Sequence, residues 1–413
     1  MTKKYWLLLY IICFLISCEQ PENRKKIPVE QFVVGELDSV YSTVLDESRK
    51  FWISVPPGLK GSVADTKYPV LFLLDGNHHF LLVAGITTQL SRTISPNMII
   101  VGINNVNRWR DFTPSHVESN EQSGEGNKFL DFIESDLIPY INKKYPAASN
   151  KTFVGHSLGG LIVINSLITR PNLFNNYIAI DPSLWWDDLK FLNMADSVFA
   201  NNQFKGKSLY VGIANTMKEG MDINDVQNDT AESTNHIRSI LQFVKSTEEQ
   251  KDNGLEFDSK YYKNDGHNSI TVIAYYDALR FLFSWYALSG MDKFYDPDSN
   301  TTVEELLAHV NTHFTNVSNR MGYKVIPPDA YMEILARRFT NKDMHEKALA
   351  CLKKYIADYP KSDRAYEAMA KHYLLRNDSI KALQFYNKVL ELGDNNFRYD
   401  RAKEKVDVLN QNS

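Results

Sequence analysis

From Tyr68 onward the chain carries six short strand-like runs, Val70–Leu74, Met98–Ile103, Thr152–Val154, Tyr177–Ile180, Ser208–Ile213 and Glu256–Tyr262, spaced by segments long enough for helices. Strands buried on both faces read as continuous hydrophobic runs, and strands alternating with helical segments pack as a parallel sheet covered by helices. Upstream, Ser39–Leu45 and Lys50–Val55 flank Asp46-Glu47-Ser48, which predicts an antiparallel hairpin stopped by Val55-Pro56-Pro57-Gly58. The larger part of the chain is therefore expected to be α/β with a mostly parallel sheet.

Within this alternation, Gly155-His156-Ser157-Leu158-Gly159-Gly160 joins the run Lys151–Val154 to a helical stretch, Leu161–Leu167. A serine between glycines at a strand-to-helix junction is the setting of a nucleophile elbow: the glycines permit a sharp turn and close packing, and the hydroxyl stands above the sheet. A glycine turn without chemistry has the same local pattern, so the reading depends on a distant base.

Five segments occur in one order: Tyr68-Pro69-Val70-Leu71-Phe72-Leu73-Leu74-Asp75-Gly76, Arg110-Asp111-Phe112-Thr113-Pro114, Gly155–Gly160, Asp181-Pro182-Ser183-Leu184-Trp185-Trp186 and Gly266-His267. Together they resemble the esterase family of α/β-hydrolases that includes siderophore trilactone, feruloyl and acetyl esterases, S-formylglutathione hydrolases and mycolyltransferases. The Pro-Ser-Leu-Trp-Trp segment is most similar to the siderophore esterase branch. The resemblance covers residues 31–290 and implies an α/β-hydrolase fold, no cofactor, and a small-molecule ester as substrate.

The chemistry of the residues agrees. A serine hydroxyl needs a base to take its proton, and in this fold the partners follow in the order Ser, acid, His. His267 follows a strand candidate and Asp265-Gly266 and precedes a helix from Ser269, so it is the expected base for Ser157. His236 lies within the helical stripe Ile237, Ile240, Leu241, Val244 and reads as structural. The acid should lie beyond Ser208–Ile213, where Glu219, Asp222, Asp225 and Asp229 are available. Asp222 is the expected residue and Glu219 the next. Asp229 reads as a helix N-cap. Asp181, at the end of the preceding strand, is a further candidate, because Ala214-Asn215-Thr216-Met217 replaces the family's usual Gly-x-x-Asp/Glu.

The oxyanion of a tetrahedral intermediate needs donors already in place. Leu158 N–H and the amides of Gly76 and Asn77 are the expected ones. His78 and His79 share that loop, but adjacent positions rarely face one ion and no carboxylate or thiol cluster joins them, so no metal is expected. Trp185 and Trp186, with Arg108, Trp109 and Arg110, come from loops at the carboxyl ends of strands, where sites in open α/β sheets lie. They are expected to border the substrate, with core packing as the alternative for the tryptophans and with Arg110–Pro114 bracing the pocket wall through an Arg and Asp pair.

At the N-terminus, Lys3 and Lys4 precede an apolar run of 12 residues, Tyr5–Ile16, too short for a membrane span of about 20 residues. Leu15-Ile16-Ser17-Cys18 resembles the lipobox of bacterial lipoproteins, which implies a signal peptide over 1–17 and lipidation of Cys18. The expected protein is exported and held to the bacterial cell envelope by that anchor, with a polar tether over 18–30. Only Cys18 and Cys351 then remain, so disulfides do not staple it and a packed core must, for which 43% hydrophobic residues suffice. A net charge of −4 with mixed signs gives no field for nucleic acid.

Beyond the esterase-like part, 291–325 reads as a linker followed by a capping helix at Val303–Phe314. In 326–413, Leu335-Ala336 recurs as Met369-Ala370, Phe339 as Tyr373, and Lys347-Ala348-Leu349 as Lys381-Ala382-Leu383, each 34 residues later. That is the tetratricopeptide period of paired helices. Two repeats need caps, and a stabilising appendage and a partner-binding module fit equally. Three functions remain open: ester hydrolase, acyltransferase through the same acyl-enzyme, and a scaffold without chemistry. Intact Ser157 and His267 argue against the last.

Overall fold

A computed structural model describes residues 33–56, 67–91, 94–393 and 396–411. The expected signal peptide, Cys18 and the tether lie outside the described residues. Residues 35–413 form one compact unit, which the following describes.

Eight strands form one sheet in the order β1-β2-β4-β3-β5-β6-β7-β8. They are β1 (Glu36–Ser42), β2 (Glu47–Ser54), β3 (Tyr68–Leu73), β4 (Ile99–Ile103), β5 (Ala147–His156), β6 (Asn176–Ile180), β7 (Ser208–Ala214) and β8 (Glu256–Tyr262). β1 and β2 form the expected hairpin, β2 pairs antiparallel with β4, and all later neighbours are parallel. β3, β4, β6 and β7 are buried at every residue, as central strands covered on both faces must be. β8 differs: Glu256, Asp258 and Lys260 are exposed and alternate with the more buried Phe257, Ser259 and Tyr261. Its unpaired edge explains the charges, which discourage pairing with another chain.

The helices beside the sheet are α1 (Gly76–Leu90), α2 (Arg108–Phe112), α3 (Gly126–Phe132), α4 (Ile138–Lys144), α5 (Leu158–Thr169), α6 (Lys190–Asn201), α7 (Asn235–Glu249) and α8 (Ile270–Leu282). A π-helical turn, Ile133–Leu137, joins α3 to α4. α5 is buried from Leu158 to Ile168, because it is apolar on all sides and sits centrally. Stacked Phe153 and Phe174, with centroids 4.5 Å apart, extend the core between sheet and loops.

C-terminal to the sheet come α9 (Asp292–Tyr295), α10 (Val303–Met321), α11 (Asp329–Thr340), α12 (His345–Asp358), α13 (Asp363–Leu375), α14 (Ser379–Leu392) and α15 (Phe397–Gln411). The expected linker is not open chain at its start: α9 forms there, with Met291 at its N-cap and Phe294 within it both buried. α10 begins in a capping box, Thr302 Oγ1 accepting from Glu305 N–H and Glu305 Oε2 from Thr302 N–H. Among the positions that recur at 34 residues the alanines face inward, whereas Lys381 is exposed. Ala336, Ala370, Ala348 and Ala382 are all buried, their small side chains allowing the helices to approach. Lys347 is also buried, its Nζ 2.8 Å from Thr301 Oγ1. Among the described residues no helix is long and apolar enough to cross a membrane.

Candidate active site

Ser157 stands between β5 and α5 with φ 60° and ψ −120°, a strained conformation for a residue with a side chain. Its surroundings enforce the turn. Ser157 N–H donates to Ile180 O at 2.9 Å, and Ser157 O accepts from Ser183 N–H at 3.1 Å. Gly155 is required because a Cβ there would lie 2.2 Å from Gly159 O. The Ser157 hydroxyl is 3.2 Å from Ser183 Oγ.

His267 lies between β8 and α8, and its Nδ1 is 2.5 Å from Asp181 Oδ2. Asp181 follows β6 with φ 44° and is fully buried. Its other oxygen accepts Ala214 N–H at 3.0 Å, and its own N–H donates to Gly212 O at 2.7 Å. Burial alone would raise this carboxyl's pKa, but hydrogen bonds from His236 and His267, the charge of His236 and the Ala214 amide outweigh it and hold the pKa well below the carboxylate range. An ionised carboxylate only accepts, so His267 donates to it from Nδ1–H.

The expectation of Asp222 as the acid does not survive this geometry. Asp222 is exposed and its carboxylate accepts from Asn224 N–H and Nδ2, both at 2.8 Å. Glu219 and Asp225 are exposed as well. Asp229 accepts from Thr230 and Ala231 amides and from the Thr234 hydroxyl, a turn-capping role. His236 also departs from its structural reading. It lies off the buried stripe of α7, with Nε2 2.9 Å from the same Asp181 oxygen.

Two imidazoles and a carboxylate invite a zinc reading, since Asp181, His236 and His267 offer ligand atoms within 4.8 Å of one another. The distances decide against it. Ligands at about 2.0–2.1 Å from a tetrahedral zinc stand well over 3 Å apart, whereas Asp181 Oδ2 is 2.5 and 2.9 Å from the two nitrogens. These are hydrogen bonds.

Ser157 and His267 share a cleft of about 360 Å³ with Asp75, His78, His79, Arg108, His156 and Asn268. A larger cleft of about 690 Å³, near Tyr295 and Arg338 at the C-terminal helices, contains no comparable pair and is not the chemical centre. Leu158 begins α5, and Gly76 and Asn77 begin α1, so their amides belong to first helical turns, whose N–H groups lack intrahelical acceptors. Gly76 is there for contact: a Cβ would come within 2.3 Å of Gly102 C and O.

Arg108 lines the cleft, but its cation is engaged. Nε and Nη2 lie 2.7 and 3.1 Å from the Asp75 carboxylate, and Nη2 donates to His156 O at 3.3 Å. His156 Nε2–H in turn reaches His267 O at 2.8 Å. Burial, with the charge of His267 beside it, pushes His156 down to about 4, so it is neutral at pH 7. His79 is also lowered, chiefly by burial.

Three residues expected at the substrate are directed elsewhere. Arg110 pairs with Glu47 at 2.7 Å and Asp111 at 2.8 Å, in a cluster that also neutralises buried Arg49. Trp186 is 2% exposed and its Nε1–H lies 3.2 Å from Ser115 O and Oγ. Half-buried Trp185 packs against Trp186, and neither lines the cleft. Trp109, tilted against Trp186 with ring centroids 5.7 Å apart, is the exposed member of this group. Sequence spacing could not separate these orientations, because adjacent loop residues share no fixed face.

Fold and family together define a carboxylic ester hydrolase with an eight-stranded, mostly parallel sheet. The chain belongs to the family described as "Putative esterase", whose model matches residues 42–271. It is 30% identical to an IroE-like serine hydrolase from Shewanella oneidensis, covering 78% of this chain and 98% of that one with a TM-score of 0.63. It is 28% identical to the ferri-bacillibactin esterase BesA of Bacillus subtilis, over 55% of this chain and 81% of that protein. An uncharacterised protein from Capnocytophaga ochracea, 18% identical, shares the fold over 91% of this chain and 99% of its own with a TM-score of 0.55.

Proposed function

We propose that the chain hydrolyses esters through an acyl-enzyme on Ser157, with His267 as general base and Asp181 as the acid. The observation that carries this reading is the 2.5 Å contact of His267 Nδ1 with buried Asp181, on a histidine that shares its cleft with a strained serine. Ser157 Oγ attacks the ester carbonyl while its proton passes to His267 Nε2. The oxyanion is held by Leu158 N–H and by an amide of Gly76 or Asn77. Collapse breaks the ester C–O bond, and the alcohol leaves with the proton from His267. Water then repeats the sequence at the acyl carbon, releasing the acid and restoring Ser157. The resting contact of Ser157 with Ser183 is compatible, since catalytic hydrogen bonds often tighten only with substrate.

The substrate class we infer is an ester or lactone of an aromatic acid, a siderophore among them. The similarity to a ferri-bacillibactin esterase supports this, and Trp109, next to Arg108 in sequence on α2, is an exposed aromatic residue. We further infer that Cys18 carries a lipid anchor in the cell envelope, and that the 34-residue repeats are tetratricopeptide-like and available to a protein partner. A comparison of kcat/KM for a catecholate trilactone, a feruloyl ester and an acetyl ester tests the substrate class. Equal rates on all three refute it. Products formed with and without an added alcohol separate hydrolysis from acyl transfer.

A further inference from the structure

The reading above uses one imidazole on Asp181, yet the structure holds two. His236 reaches the same carboxylate oxygen from α7, and the two rings meet edge to face with centroids 5.3 Å apart. Asp181 Oδ2 therefore accepts from His236 Nε2–H and His267 Nδ1–H, while Oδ1 accepts from Ala214 N–H. The carboxylate needs these restraints. Asp181 sits on a positive-φ backbone just after β6, and its buried carboxylate is oriented by the groups that bond it. The Ala214 amide anchors one oxygen and leaves rotation about that bond open; His236 closes it.

We infer that His236 is a positioning residue for ester hydrolysis, acting through Asp181 to fix the oxygen that orients His267. This rests on the reading that Asp181 serves His267. His236 touches neither the cleft nor Ser157; other groups facing Asp181 are His267 and the Ala214 amide. Arg238, on the same helix, is turned away to Thr234 Oγ1 and Ala231 O.

The test compares His236→Leu, which keeps volume but removes the donor, with His236→Gln, whose amide N–H can replace Nε2–H. Each is made in the wild type and in Asp181→Asn, with kcat, KM and Tm measured on an aryl ester. A misplacement of about 1 Å at a catalytic group costs about 10²-fold. The expected result is a kcat about 10- to 100-fold lower for His236→Leu with little change in KM, most of it restored by Gln, and no further loss from Leu in Asp181→Asn. If His236→Leu does not fold, His236→Ala takes its place against Gln. Wild-type kcat in the donor-free variant beside an impaired Asp181→Asn overturns the inference alone, as does a loss that multiplies in the double variant or that Gln does not restore. An unimpaired Asp181→Asn overturns the Asp181 reading and this inference with it.

Discussion

His267 Nδ1 and Asp181 Oδ2 are 2.5 Å apart although 86 residues separate them in the chain. The contact joins the loop after β8 to the end of β6, bypassing the loop after β7, where the acid was expected. β6, β7 and β8 are consecutive neighbours in the sheet, so the ends of β6 and β8 lie one strand apart. Asp181 therefore occupies a position from which a short side chain spans that gap.

Ser157→Ala and His267→Ala should each abolish ester hydrolysis without unfolding the protein. Residues that act as one unit are non-additive, so the double variant should be little worse than either single one. Burst and steady-state assays on an aryl ester, with Tm as the folding control, check this. Near wild-type turnover in Ser157→Ala ends the serine mechanism.

Asp181→Asn should lower kcat by about 10³- to 10⁴-fold, since loss of the acid leaves the imidazole in the wrong tautomer. Asp222→Asn should be within about twofold of wild type, because an exposed carboxylate bonded to Asn224 supports nothing at the cleft. The opposite ranking in kcat would return the acid to the loop after β7.

His156 makes stability depend on pH. Its pKa is near 4 in the fold against 6.5 for a free imidazole, so the unfolded chain binds the additional proton between those values. The stabilising contribution is complete above 6.5 and is lost as pH falls toward 4, a change of about 3 kcal/mol at 1.36 kcal/mol per unit. His156→Gln should flatten Tm against pH across that window. An unchanged slope would mean that His156 protonates freely in the fold.

Trp186→Ala should destabilise by about 3–5 kcal/mol, the cost of truncating a buried aromatic side chain. Trp109→Ala should leave Tm close to wild type and reduce the preference for aromatic over acetyl esters. Chemical denaturation and the kcat/KM ratio of the two ester types separate the effects. Aromatic selectivity lost in Trp186→Ala at unchanged stability would place that side chain at the substrate after all.

Cys18→Ala should turn a membrane-associated protein into a soluble exported one, since a lipid chain is the anchor expected from residues 3–18. Fractionation with a carbonate wash decides it. Retention of Cys18→Ala in the pellet sinks the anchor.

Periodicity made the strands legible because a strand buried on both faces is apolar along most of its length, and β3, β4, β6 and β7 are buried at every residue, with Asn176 and Ser208 as polar residues at the starts of β6 and β7. The turn at Ser157 was legible for a similar reason: Gly155 and Gly159 touch through their backbones, and no larger residue at 155 fits that contact. The helices at a 34-residue repeat followed from their inward alanines. Which carboxylate meets His267 was not legible. Asp222 and Asp181 are the same residue type on loops of similar promise, and only the lateral order of β6, β7 and β8 brings one of them to the imidazole. The fates of Arg110, Trp186 and His236 were hidden for the same reason. A local pattern determines which face of a strand or helix is apolar, but the direction of a loop side chain depends on partners distant in sequence. Glu47 and Asp111 draw Arg110 away, Ser115 receives Trp186, and Asp181 claims His236.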